Sequence, residues 1–193
     1  MSVKRIAIMA SGSGSNAQKI MEYFADNNNV KVDCLLSNNP EAPALERARK
    51  MGVETFVFDR NTFYNTTIVP DLLSKREVSL IVLAGFLWLV PEILVQSFKI
   101  INIHPALLPR YGRKNMYGMN VHRAVIQNGD AKSGITIHHV NEAYDKGAVI
   151  FQAECLVDET DTPETLAEKI HLLEHAHYPG VIARLLESFD DLS

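Results

Sequence analysis

The sequence predicts a single α/β domain spanning 1–193: a Rossmann-like, mostly parallel sheet of about seven strands, helices on both faces, and an antiparallel C-terminal hairpin. Three observations carry this. Short apolar runs alternate with segments of helical period through the first two-thirds of the chain. One run, residues 79–84 (SLIVLA), is apolar at nearly every position, as a strand buried on both faces must be. The last two strand-like runs are joined by residues 141–147 alone, too short for a parallel crossover, so they pair antiparallel.

In order, residues 6–10 form a strand that ends in Ser11-Gly-Ser-Gly-Ser-Asn16. A helix follows with Ile20, Tyr23 and Phe24 on one side. Residues 30–36 are the second strand. Residues 43–51 are a helix, with Pro43 at its start and Gly52 just past its end. Residues 53–58 are the third strand, 66–75 a helix with Pro70 in its first turn, and 79–84 the fourth strand. A short helix at 91–98 leads to the fifth strand, 99–103. Residues 119–128 are a helix stopped by Gly129, and 134–140 and 148–156 are the last strands. Thr162-Pro163 opens a final helix with Leu166, Ile170 and Leu173 as its stripe. Pro179-Gly180 interrupts it, and 181–189 continue as another helix. No internal repeat or linker divides the chain.

Composition narrows the function classes. Hydrophobic residues are 47% and charged residues 22%, the balance of a folded globular chain. A net charge of −4 offers no basic platform for nucleic acid. Cys34 and Cys155 make no CxxC pair and read as reduced thiols. No apolar run approaches the ~20 residues of a membrane span, and the N-terminus lacks a signal-peptide core, so a cytoplasmic protein is expected.

In open parallel sheets ligands bind beyond the carboxyl ends of the strands. Ser11 to Asn16 occupies such a place. Gly12 and Gly14 allow close backbone approach, and the amides of Gly14, Ser15 and Asn16 at a helix N-terminus suit a phosphate. The loop does not spell a nucleotide-triphosphatase motif, and Ala17 stands where a third dinucleotide-binding glycine would. Asn102 and His104 are two apart at the end of the fifth strand and point the same way. They are either a hydrogen-bonded polar cluster, the commoner case for such a pair alone, or a carbonyl-polarising amide beside a proton carrier. Asp145, in the turn after the sixth strand, is either a solvated hairpin Asp, the ordinary reading of an isolated turn, or an acidic partner at the same crevice end that would raise the His104 pKa. His171-Leu-Leu-Glu174-His175 spells H-x-x-E-H, which a zinc peptidase would use with a third ligand; His138, His139 and His177 follow no recognised pattern for one. Trp88 is either a core anchor or the wall of a slot for a flat heterocycle. The basic, glycine-bearing run 110–118 is a solvated loop or a lid.

Five strings resemble the folate-dependent formyltransferase family, in its branch acting on glycinamide ribonucleotide: Ser13-Gly-Ser-Asn16, Val82-Leu-Ala-Gly-Phe86, Asn102-Ile-His-Pro-Ala-Leu-Leu-Pro109, Asp145-Lys-Gly-Ala-Val-Ile-Phe-Gln152, and Glu174-His175 with Tyr178-Pro179. The resemblance implies the single-domain formyltransferase fold and formyl transfer from 10-formyltetrahydrofolate to the amine of 5-phosphoribosylglycinamide, a step of purine biosynthesis. It implies a substrate phosphate on Gly14, Ser15 and Asn16, and the ribose or amine end at Glu174 and Pro109. The folate would lie against Leu87, Trp88, Leu89, Val90, Asn102, Val140, Asn141 and Tyr144. Catalysis would rest on Asn102, His104 and Asp145, without metal, in a monomer or homodimer that binds neither nucleic acid nor membrane. The chain departs from the family at Asn120, where relatives often carry His, near Asn65-Thr66, where a folate-contacting Arg is missing, and in the longer 110–118 loop with its Lys114. Relatives that formylate initiator tRNA or hydrolyse the cofactor carry a further domain, which this length speaks against. An amino-sugar-nucleotide formyltransferase, a formyltetrahydrofolate hydrolase, a non-catalytic phosphate-binding module and the zinc peptidase are the alternatives.

Overall fold

The computed structural model describes residues 3–113, 115–143 and 145–189. Its elements are β1 (Lys4–Met9), α1 (Ser15–Phe24), β2 (Val30–Ser37), α2 (Pro43–Lys50), β3 (Glu54–Val57), α3 (Arg60–Asn65), α4 (Ile68–Lys75), β4 (Val78–Leu83), α5 (Glu92–Ser97), β5 (Ile100–His104), α6 (Met119–Gln127), β6 (Lys132–His139), β7 (Val149–Leu156) and α7 (Pro163–Glu187). The strands form one sheet in the order β3-β2-β1-β4-β5-β6-β7. β1 to β5 pair in parallel, while β6 pairs antiparallel with both β5 and β7.

Two apolar layers follow from strand alternation. Ile6, Ile8, Leu80 and Val82 face one side, where they pack with Ala17, Ile20, Val121, Ile170 and Ile182 of α1, α6 and α7. Ala7, Met9, Ile81 and Leu83 face the other, against Phe63, Val69, Leu73 and Leu94 of α3, α4 and α5. The central strand, Val78–Leu83 and buried throughout except at the half-buried Ser79, and the antiparallel last pair are as the sequence predicts.

Three features differ from the sequence reading. A helix, α3, precedes α4 and was not foreseen; Asp59 caps it by accepting from the Thr62 amide at 2.7 Å. Pro179-Gly180 does not interrupt the last helix, and α7 runs unbroken through it. Proline removes one intrahelical hydrogen bond. Here the turn holding it is anchored: Tyr178 is fully buried and its hydroxyl donates to Leu83 O at 2.9 Å, with Pro179, Val181, Ile182 and Leu186 buried beside it. Third, the turn carrying Asp145 does not leave from the carboxyl end of the parallel strands. Because β6 runs against β5, its end lies level with Ile100 and Ile101, at the opposite end of β5 from His104. Val140 N donates to Ile100 O at 2.9 Å, and the segment after it folds back to bring Asp145 to His104.

Candidate active site

A cleft of about 670 Å³ opens beyond the carboxyl ends of β1, β4 and β5. That volume suits a small-molecule site. Of the residues singled out from sequence, Gly14, Ser15, Asn16, Leu87, Trp88, Leu89, Val90, Asn102, His104, Val140, Asn141, Asp145 and Glu174 all line it. Pro109 does not. It lines a separate shallow depression with Arg110, Tyr111, Gly112, Arg113 and Asn128. Tyr144 and Lys114 lie outside the described residues.

The glycine-rich loop is shaped by packing. Gly14 has φ 73, and a Cβ there would stand 2.5 Å from Ala44 Cβ, so only glycine lets α1 and α2 approach. No side chain caps α1, which leaves its first amides directed at the cleft. Ser11 ties this loop to the wall opposite: its Oγ accepts from Leu87 N at 3.0 Å and donates to Asn38 Oδ1 at 2.7 Å. Trp88 has both roles the sequence left open. It packs among Phe58, Phe63, Tyr64 and Phe86, and it also lines the cleft.

Asp145 Oδ1 lies 3.5 Å from each of three groups: His104 Nδ1, Asn102 Nδ2 and His138 Nε2. Asn102 Nδ2 is 3.3 Å from His138 Nε2. His138 was not singled out from sequence as a site residue. Strand register places it opposite Asn102, and register between distant strands is not written in either strand alone. His104 is buried, and burial holds its pKa below the usual imidazole value; Asp145 pulls the other way, His138 lowers it further, and the Tyr111 carbonyl raises it. The expected lift from Asp145 is therefore present but outweighed by desolvation. Geometry favours the charged form on approach of a proton: Nε2 faces the Tyr111 carbonyl at 3.1 Å and Nδ1 faces the Asp145 carboxylate, both acceptors.

Glu174 is buried on α7. Its Oε2 accepts from Asn16 Nδ2 at 2.9 Å and from His171 Nδ1 at 2.8 Å, so one carboxylate joins the phosphate-suited loop to the long helix. Donation to Glu174 raises the His171 pKa. This arrangement uses the H-x-x-E-H residues differently from a zinc site. Glu174 is engaged by Asn16 and His171, His138 belongs to the Asp145 cluster, and His177 packs on Phe151. Among the described residues no group of three His, Cys, Asp or Glu is disposed to hold a metal ion. Asn120 donates to Asn115 O at 3.2 Å and is exposed, and Arg110 pairs with Asp130 at 2.7 Å.

His122 also lines the cleft and was missed. It is buried, its Nδ1 has no hydrogen-bond partner among the described residues, and burial pushes its pKa down to about 4. The sign of the consequence follows from linkage. The unfolded chain takes up this proton near pH 6.5 and the folded chain near pH 4, so stability is full above 6.5 and lost as pH falls towards 4. The loss is on the order of 3 kcal/mol from this group, with further losses from His104, His139 and His175, which burial also lowers. Urea midpoints measured from pH 7.5 to 4.5 should fall, and His122→Gln should flatten that slope. An unchanged slope in the variant would exclude His122 as a main source.

A family model described as formyl transferase matches residues 4–182. The phosphoribosylglycinamide formyltransferase of Bacillus subtilis (strain 168) is 36% identical over 191 residues, covering 95% of each chain. The chloroplastic phosphoribosylglycinamide formyltransferase of Arabidopsis thaliana is 40% identical over 192 residues, covering 95% of this chain, which spans 66% of that protein. Among solved structures, glycinamide ribonucleotide transformylase 1 of Geobacillus kaustophilus superposes with a TM-score of 0.85 at 34% identity, covering 95% of this chain and 99% of that one. Among the described residues no helix is long and apolar enough to cross a membrane.

Proposed function

The chain belongs to the formyl transferase family, and from that premise we propose that it transfers the formyl group of 10-formyltetrahydrofolate to the amine of 5-phosphoribosylglycinamide. The observation that carries the reading is the convergence of Asn102, His104 and Asp145 in the cleft, between an uncapped helix N-terminus and an apolar wall.

The substrate phosphate lies on the amides of Gly14, Ser15 and Asn16, where the helix dipole favours an anion. Glu174 faces the ribose and amine end, and its buried charge suits hydroxyl or ammonium donors. The pterin rests against Leu87, Trp88, Leu89, Val90, Val140 and Asn141. The amine nitrogen attacks the formyl carbon, a C–N bond forms, and the carbonyl electrons move to oxygen. Asn102 Nδ2 and His104 hold that oxyanion. Asp145 and His104 carry the proton from the attacking nitrogen to N10 of the folate, the C–N10 bond breaks, and formylglycinamide ribonucleotide and tetrahydrofolate leave. Every step uses side chains of this chain and two small molecules; no metal, nucleic acid or membrane takes part. We place the enzyme in the cytoplasm as a monomer or homodimer.

The test is a direct assay. With both substrates and a chelator present, one tetrahydrofolate should appear per formylglycinamide ribonucleotide, and the cofactor alone should hydrolyse far more slowly. Turnover that needs an amino-sugar nucleotide, runs without an acceptor, or stops on chelation would sink the proposal in favour of the corresponding alternative.

A further inference from the structure

Tyr111 occupies an unusual position between His104 and the far end of α6. Its backbone is left-handed at φ 60, a region where non-glycine residues are uncommon. In that conformation its carbonyl accepts from His104 Nε2 at 3.1 Å. Its phenol reaches the segment after α6. The hydroxyl donates to Asp130 Oδ2 at 2.6 Å and accepts from Asn128 Nδ2 at 2.7 Å, while Arg110 holds the other Asp130 oxygen at 2.7 Å. The next residue closes on the same cluster: a Cβ at Gly112 would stand 3.2 Å from Asp145 Cβ and 2.5 Å from Leu108 Cδ2. The chain at 111–112 thus touches both His104 and Asp145.

We propose that Tyr111 is a positioning residue, latched by Asp130 and Asn128, whose carbonyl fixes the protonation pattern of His104. The argument rests on donor and acceptor chemistry. A carbonyl only accepts, so His104 must carry hydrogen on Nε2. In the neutral ring the lone pair is then on Nδ1, the atom facing Asp145 and the cleft. Nδ1 becomes the single titrating atom: it takes the proton from the attacking amine and returns it to the leaving nitrogen. Between those events Nε2–H is held by the Tyr111 carbonyl, and the new Nδ1–H, on the Asp145 side of the cleft, is the donor that holds the oxyanion beside Asn102 Nδ2. Without the latch the ring is free to adopt the other tautomer, which presents N–H where a base is needed. The charged or titratable groups that bear on His104 are Asp145 from the 145–147 segment, His138 from β6, His122 from α6 and Glu174 from α7. Among the described residues the partner of Nε2 is the Tyr111 carbonyl.

The role of the proton on Nδ1 rests on the formyl-transfer reading; the tautomer does not. The experiment therefore has two arms. In Tyr111→Phe, kcat should fall about tenfold, with the KM of both substrates within about twofold and a displaced pH–kcat profile. Asp130→Ala should cost as much, the double variant no more than either, and Asp130→Asn, which keeps an acceptor for the phenol, should recover most of the activity. Independently, nitrogen-15 NMR of the neutral His104 ring should show hydrogen on Nε2 in the parent protein and a mixture in Tyr111→Phe. An unchanged tautomer in the variant overturns the proposal, whatever the turnover. So does a loss of kcat matched by a lower melting temperature and a raised KM for both substrates, since that is a structural role alone. If the parent turns over neither substrate, the functional reading fails, and the tautomer arm still decides the latch.

Discussion

His104→Ala should lower kcat by about a thousandfold while leaving the affinity for either substrate close to that of the parent. The ring is buried at the end of β5, and its two nitrogens are committed to the Tyr111 carbonyl and to the Asp145 side. In the proposed reading it acts on charge that develops during the reaction, while the phosphate, amine and pterin are assigned to other residues. A group engaged mainly in the transition state affects kcat and leaves ground-state binding alone. Steady-state kinetics with both substrates, and calorimetric titration of 5-phosphoribosylglycinamide, measure the two quantities separately. A variant within threefold of parent kcat would remove His104 from the proton path.

Glu174→Gln should have the opposite signature. The KM for 5-phosphoribosylglycinamide should rise about 10- to 100-fold, with kcat and the KM of the folate little changed. Glutamine preserves the shape, and its carbonyl oxygen can take the place of Oε2 and accept from both Asn16 and His171, but it removes the buried negative charge. The lost interaction is one between a charge and the donors of a substrate, worth about 1.5 to 3 kcal/mol, which is the fold-change given. An equal rise in the folate KM would mean that Glu174 acts by shaping the whole cleft. An unaltered KM would place the amine end elsewhere. Together the two variants divide the site into a chemical half on β5 and a binding half between α1 and α7.

Much of this was legible before any coordinates. The alternation of apolar runs with helical period specifies a parallel sheet because backbone geometry fixes both periods. The glycine-rich turn, the Asn102–His104 spacing and Glu174 could be found because each is a local signal, carried by residues within a few positions of one another. Other features were not legible for equally physical reasons. The sequence around Pro179 reads as a break, but Tyr178 reaches the carbonyl of Leu83, far away along the chain, and that anchor keeps α7 whole. α3 had a usable signal in its Asp59 cap, three residues before Thr62. The surface position of Pro109 follows from how the chain leaves β5, which no pattern of side chains records.

What the sequence determined by itself is the set of elements, the loop suited to an anion, and the residue types able to polarise a carbonyl and move a proton. Those follow from local stereochemistry and from side-chain chemistry, and both are properties of short segments. The tertiary structure alone decided which of these groups meet. It brought Asp145 back along β5 from the wrong end of an antiparallel strand, set His138 opposite Asn102 by register, and placed the Tyr111 carbonyl on His104. It also set the direction of the His104 shift, downward instead of upward, because burial depends on everything packed around the ring and here outweighs Asp145.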